Sequence, residues 1–140
     1  MAVAPLNKVK EVLDYGVSVI PREKILQGMP NYGYDWTLPF VFGTSMARSI
    51  GNVEAVEIAM RYRTSIQYDE IAATPFFYYT DEEGRAHVVW FEDARSIQAK
   101  LLLNESYPLQ GISYWNIMRY FPQNWLVVNN MVRIRNVYLT

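Results

Sequence analysis

Two short apolar segments far apart in the chain, each preceded by an amphipathic helix, limit most strongly the folds open to it. Lys24 to Pro30 and Gly111 to Asn116 both read as buried strands. Before the first, Leu6, Val9, Val12, Leu13, Val17 and Ile20 follow a three-to-four spacing that ends at Pro21, with Pro5 where a first helical turn tolerates proline. Before the second, Asp93 is placed to cap a helix carrying Ala94, Ile97 and Leu101 on one face, and Tyr107-Pro108 ends it. Helix before strand, twice over, is what neighbouring parallel strands of an α/β sheet require, because such strands are joined by long crossovers.

Between these halves the pattern changes after Gly43. Asn52 is placed as the N-cap of a short helix with Val53, Val56, Ala59 and Met60 on one side. Ser65 to Ala72, Thr74 to Thr80 and Ala86 to Phe91 are rich in aromatic and β-branched residues and read as an antiparallel sheet, with Asp81-Glu82-Glu83-Gly84 as a hairpin turn. The expected organisation is therefore an α+β insertion at 44–92 between α/β segments at 1–43 and 93–140. Beyond Pro122, Trp125 to Val128 and Met131 to Leu139 are apolar and fit either a helix or a strand.

Composition removes several function classes. With 51% hydrophobic and 19% charged residues, the chain is too apolar for disorder and too evenly interrupted to span a membrane. Thirteen basic against fourteen acidic residues leave a net charge of -1, without the basic footprint of a nucleic-acid binder. Zero cysteines exclude disulfides and thiol chemistry, and a lone histidine excludes a multi-histidine metal site within one chain. Neither metal nor cofactor is expected, nor a nucleic-acid or membrane partner. Met1 to Lys8 has no apolar core of signal-peptide length.

In parallel α/β architectures ligands bind outside the carboxyl ends of the strands. The segment Asn31-Tyr32-Gly33-Tyr34-Asp35-Trp36, read as an aromatic turn, follows the first strand, and Trp115 and Asn116 close the second. If the strands are neighbours, four rings and the amides of Asn31 and Asn116 meet on one rim, a combination suited to sugars; the alternative is a packed aromatic cluster. Acid–base chemistry finds less support. Asp69-Glu70 and Glu92-Asp93 are adjacent pairs, which a strand points to opposite faces, and Glu92-Asp93 reads as a strand end plus helix cap. Asp81 to Glu83 read as a solvated turn, and His87 as a surface or packing histidine with no nucleophile beside it. Gly28, Gly33 and Gly43 have no phosphate-loop spacing. No catalytic residue is expected within the chain.

The stretch Lys24 to Trp36, KILQGMPNYGYDW, resembles the seventh barrel strand and following loop of family 18 glycoside hydrolases, the chitinase-like (β/α)8 enzymes. Tyr68-Asp69-Glu70 with Pro75-Phe76, then Trp90-Phe91-Glu92-Asp93-Ala94-Arg95-Ser96 to Lys100, is similar to the chitinase insertion domain and the seventh helix behind it. Gly111-Ile112-Ser113-Tyr114-Trp115-Asn116 resembles the eighth strand. The resemblance is to the bacterial spore-germination branch above all, N-acetylglucosaminidases that act on cortex fragments.

The resemblance implies a retaining O-glycosyl hydrolase of N-acetylglucosamine-containing glycans, in which a glutamate protonates the leaving group and the substrate's acetamido group is the nucleophile. It implies that Tyr32 contacts substrate, that Asp69 reaches sugar hydroxyls and that Trp115 floors the cleavage subsite. Tyr34 departs from the arginine of many chitinases, and Pro108 from a common glycine. The candidate binding set is Tyr32, Tyr34, Trp36, Tyr68, Asp69, Trp115 and Asn116. The family signature Asp-x-x-Asp-x-Asp-x-Glu does not occur in the chain. The expectation is the C-terminal part of a (β/α)8 TIM barrel, a fold that needs about 250 residues, starting at its sixth helix and inactive alone. Expected partners are the glycan, the N-terminal part of the same barrel, and a second copy of the chain that covers unpaired strand edges. The implied setting is bacterial, at the spore or cell envelope. The rival readings are a stand-alone carbohydrate-binding module and a self-associating structural piece.

Overall fold

The computed structural model describes residues 1–134. Helix α1 (Leu6–Val19) and a 3₁₀ turn (Arg22–Lys24) lead to strand β1 (Leu26–Pro30), which is shorter than the Lys24 to Pro30 expected because that turn takes up Lys24. Strands β2 (Gly33–Thr37) and β3 (Arg48–Ile50) precede helix α2 (Asn52–Arg61). Strands β4 (Gln67–Asp69), β5 (Thr74–Thr80) and β6 (Ala86–Trp90) follow, then helix α3 (Ala94–Ser106), strand β7 (Gly111–Trp115) and helix α4 (Pro122–Met131).

β1 and β7 pair in parallel, Leu26 opposite Gly111 and Pro30 opposite Trp115, so the two strongest strand segments are neighbours as the helix-strand pattern requires. Met29, Ile97, Leu101, Phe121 and Val128 form a core between this pair and helices α3 and α4. α3 starts as expected. The Asp93 carboxylate accepts from the Ser96 amide at 3.0 Å while the Ser96 hydroxyl bonds back to the Asp93 backbone, a reciprocal capping box. Trp125 to Val128 lie in α4, with Pro122 at its first turn; 135–139 of the ambiguous tail fall outside the described residues.

The second sheet has five antiparallel strands in the order β3-β2-β6-β5-β4 and packs on α2 through Ile50, Ala55, Ile58, Ala59, Phe77, Val89 and Phe91. Three sequence expectations change here. The segment read as an aromatic turn is strand β2, whose side chains alternate between faces, so the sheet takes in residues upstream of Thr44. Gly33 allows this pairing: a Cβ there would stand 2.5 Å from the Trp90 carbonyl oxygen and 2.8 Å from the Phe91 Cβ. The strand expected over Ser65 to Ala72 is only Gln67–Asp69, because the Asp69 carboxylate turns the chain by accepting from the Ile71 and Ala72 amides. The N-cap of α2 is Gly51; the Asn52 side chain is buried and bonds instead to Asn31 and to the Glu92 backbone. Helix α1 is tied to the turn between β4 and β5 by the Leu6 amide, which donates to Ala72 O at 2.8 Å.

Candidate functional site

The ends of β1 and β7 are held together by the amide of Asn31. This side chain, 1% exposed, donates to the carbonyls of Asn116 at 3.1 Å and Arg119 at 2.6 Å, and its backbone N–H donates to Trp115 O. Asn52 extends the link: its amide nitrogen donates to Asn31 Oδ1 at 3.4 Å and its oxygen accepts from the Glu92 backbone at 2.9 Å. Asn31 is thus no rim group. It is a buried tie between the parallel pair, the loop after β7 and the start of α2, because an amide in a dry site must meet both its donors and its acceptor.

That tie sets Tyr32 and Trp115 around one cleft of about 210 Å³, walled also by Val3, Ala4, Gly28 and Pro30. Trp115 is 72% exposed, unusual for the largest apolar side chain, and presents its ring at the carboxyl end of β7. The Trp115–Asn116 peptide is cis. Asn116 Oδ1 accepts from the Met118 amide at 3.0 Å, within the loop that leaves β7. From Tyr32 the aromatic line continues along one face of β2: Tyr32 to Tyr34 at 5.6 Å, Tyr34 to Trp36 at 5.7 Å and Trp36 to Phe40 at 5.4 Å, all edge to face. Burial, with Tyr34 beside it, pushes the Tyr32 hydroxyl up from its usual range. Trp90, opposite Tyr34, stacks on Phe76 at 4.5 Å and widens this face. The Trp36 indole N–H donates to Met1 O at 3.0 Å, fixing the opening segment against it.

Tyr68 and Asp69 part company. Adjacent on β4, they point to opposite faces. Asp69 borders a second cleft with Met1, Ala2, Ile71 and Trp90 on the aromatic side, with its Oδ1 already accepting from its own turn. Tyr68 lies under the guanidinium of Arg95, 4.3 Å from its ring centroid, away from Trp115; its hydroxyl is pushed up by burial. Of the seven candidates, the fold brings Tyr32 and Trp115 to one cleft, leaves Asn116 next to Trp115 in the chain but outside the lining of that cleft, strings Tyr34 and Trp36 outward, and separates Tyr68 and Asp69.

Two polar clusters were not legible in the sequence. His87 is buried, with Nδ1 2.9 Å from Asp35 and Nε2 3.2 Å from Asp81; Tyr79 stacks on its ring and donates to Asp35, which Arg48 also meets. Of the two readings of His87, packing and not surface is the one that holds, and Asp81 is not merely a solvated turn residue. Its carboxyl, which burial would raise, is instead held down to about 2 by the hydrogen bonds of Arg85 and His87. Glu92 is not only a strand end. Its carboxylate meets the Lys100 ammonium at 2.9 Å, both side chains being 1% exposed, and burial pushes the Glu92 carboxyl up against the pull of Lys100. Neither cluster joins the cleft. Among the described residues no group of three or more His, Asp or Glu side chains has an arrangement that could hold a metal ion.

The sequence profile of glycosyl hydrolases family 18 matches residues 3–119. The chain belongs to this family. The cortical fragment-lytic enzyme of Bacillus subtilis (strain 168) is 48% identical over 133 residues, which cover 95% of this chain and 31% of that protein. The crystal structure of the spore cortex-lytic enzyme SleL of Bacillus megaterium superimposes with a TM-score of 0.93 at 49% identity, covering 99% of this chain and 32% of that one. The chitinase of Chromobacterium violaceum gives a TM-score of 0.85 at 30% identity, covering 96% and 41%. The chain thus spans about a third of the length of the cortical fragment-lytic relatives it matches. It has the mixed α/β fold of chitinase-like family 18 proteins and is homologous to spore cortex-lytic glycosidases.

Proposed function

We propose that this chain forms a substrate-binding wall of a family 18 glycosidase acting on N-acetylglucosamine-containing glycans, spore cortex peptidoglycan or a chitin-like chain. The observation that carries the reading is the exposed Trp115 ring facing Tyr32 across a cleft at the carboxyl ends of two parallel strands. An apolar ring stacks on the face of a pyranose, and the nearby Asn116 amide can bond its hydroxyls. Tyr34 and Trp36 extend the wall, and Asp69 borders it from β4.

In this reading β1 and β7 are strands seven and eight of a (β/α)8 barrel, and the antiparallel sheet with α2 is its insertion. The acid that protonates the leaving group lies in the Asp-x-x-Asp-x-Asp-x-Glu strand, which these 140 residues do not contain. The chain alone binds and does not hydrolyse. The free edge of β1 and the apolar groove of about 460 Å³ between α1 and β1, lined by Val12, Leu13, Ile20 and Leu26, are where the rest of the barrel packs, or a second copy when the chain is alone.

Calorimetric titration of the 140-residue chain with tetra-N-acetylchitotetraose tests the wall. Binding is expected, and Trp115→Ala should weaken it at least about tenfold. No heat of binding, or unchanged affinity in the variant, defeats the reading, as would steady N-acetylglucosaminidase turnover by the purified chain. Light scattering at micromolar concentration tests self-association, with a dimer or larger species expected.

A further inference from the structure

Arg119 lies four residues beyond Trp115, on the loop that leaves β7. Its backbone and side chain have different fates. The carbonyl accepts from Asn31 and pins the loop to the end of β1. The guanidinium carbon sits 5.9 Å from the centroid of the Tyr32 ring, and its Nη1 is buried with no hydrogen-bond partner among the described residues. Arg48, Arg85 and Arg95 each meet a carboxylate; Arg119, like Arg22, Arg61 and Arg63, meets none among the described residues, but of these four it alone has a buried nitrogen without a partner. A shielded guanidinium nitrogen with an unmet donor is costly, and its planar fork of donors matches a carboxylate.

The surroundings add to the demand for an anion. The Arg119 Cδ lies 3.9 Å from where a Cβ on Gly51 would stand, and Gly51 is the N-cap of α2, whose first turn has no side-chain cap. The positive end of a helix therefore stands beside the cation instead of neutralising it. Glu54, the acid of that first turn, is engaged by Arg48 at 2.5 Å. Tyr32, over which the guanidinium lies, lines the cleft with Trp115, so this unanswered positive charge stands against one ring of the cleft wall.

We infer that Arg119 is a specificity-determining residue that pairs with a carboxylate carried on the bound glycan, as on an ether-linked lactyl group of a sugar next to N-acetylglucosamine. The inference rests on the glycan-wall reading above and names which glycans that wall prefers.

The test is calorimetry of the 140-residue chain with three probes: neutral tetra-N-acetylchitotetraose, an N-acetylglucosaminyl–N-acetylmuramic acid tetrasaccharide with free lactyl carboxylates, and the same tetrasaccharide with those carboxylates converted to methylamides. The acid should bind about tenfold more tightly than the amide at low salt, the size of one charge-assisted hydrogen bond. The preference should shrink as salt rises. Arg119→Gln should bring acid and amide to parity, and Arg119→Lys should keep part of the preference, because a point charge replaces the fork. Equal binding of acid and amide by the unmodified chain overturns the inference whatever the variants do. So does an Arg119→Gln variant that weakens both ligands in parallel with their ratio kept, the behaviour of a residue that only supports the loop. Binding to none of the three probes defeats the glycan wall itself, whereas binding without an acid preference removes only the role of Arg119.

Discussion

The two sheets of this chain solve the same problem to different degrees. The antiparallel sheet answers most of its own needs: its inner face packs on α2 through Phe77, Val89 and Ile50, and the buried Asp35 carboxylate is met by His87, Tyr79 and Arg48. The parallel pair answers half of them. Its helix-facing side has the Met29 and Leu101 core, while Leu26 and Trp115 on the other side stay exposed and, among the described residues, each strand pairs along one edge only. Closed packing makes a rigid support, and an open face at strand ends makes a binding surface.

The largest expected effect probes the joint between the two. Lys100→Met leaves the Glu92 carboxylate buried without its partner and should cost about 3–5 kcal/mol in chemical denaturation. Adding Glu92→Leu should restore most of that loss; a single variant as stable as the parent would mean that water reaches the pair. Next, Phe77→Ala should cost about 3–5 kcal/mol, since its fully buried ring ties the sheet to α2. In hydrogen exchange, amides of β5 and β6 should outlast those of β1, and the reverse order would break the comparison.

A smaller effect concerns acid. Asp81 has a folded pKa held down to about 2 against an ordinary 3.8, so its contribution is present above the unfolded value and lost as pH falls through the folded one. Carboxyl-resolved NMR should find Asp81 ionised at pH 3, and Arg85→Ala should move its titration upward. The smallest expected change in stability is that of Trp115→Ala, within about 0.5 kcal/mol because the ring is mostly exposed, although glycan binding should fall sharply. A large loss of stability there would make Trp115 a packing residue and not a binding one.

How much was legible can be followed residue by residue. The helix-strand units around Met29 and Trp115, and the Asp93 cap, could be read because periodicity and capping are local. Strand β2 was hidden because a segment dense in Tyr, Gly and Asp carries the chemistry of a turn, and only its alternation of Tyr32, Tyr34 and Trp36 against Gly33 and Asp35 betrayed it. The shared cleft of Tyr32 and Trp115 followed from strand order. The separation of Tyr68 from it did not, since that depends on which face of β4 meets Arg95.

The sequence by itself therefore determined the family, the helix-strand framework and the aromatic character of the rim, all written in short-range patterns and in motifs that keep their spacing. Only the tertiary structure decided that Asn31 is a tie and not a ligand group, that His87 bridges two carboxylates, and that Arg119 stands unanswered beside Tyr32. These are matters of burial and of contacts across tens of residues, and a polar side chain acquires its role from what surrounds it in the folded chain.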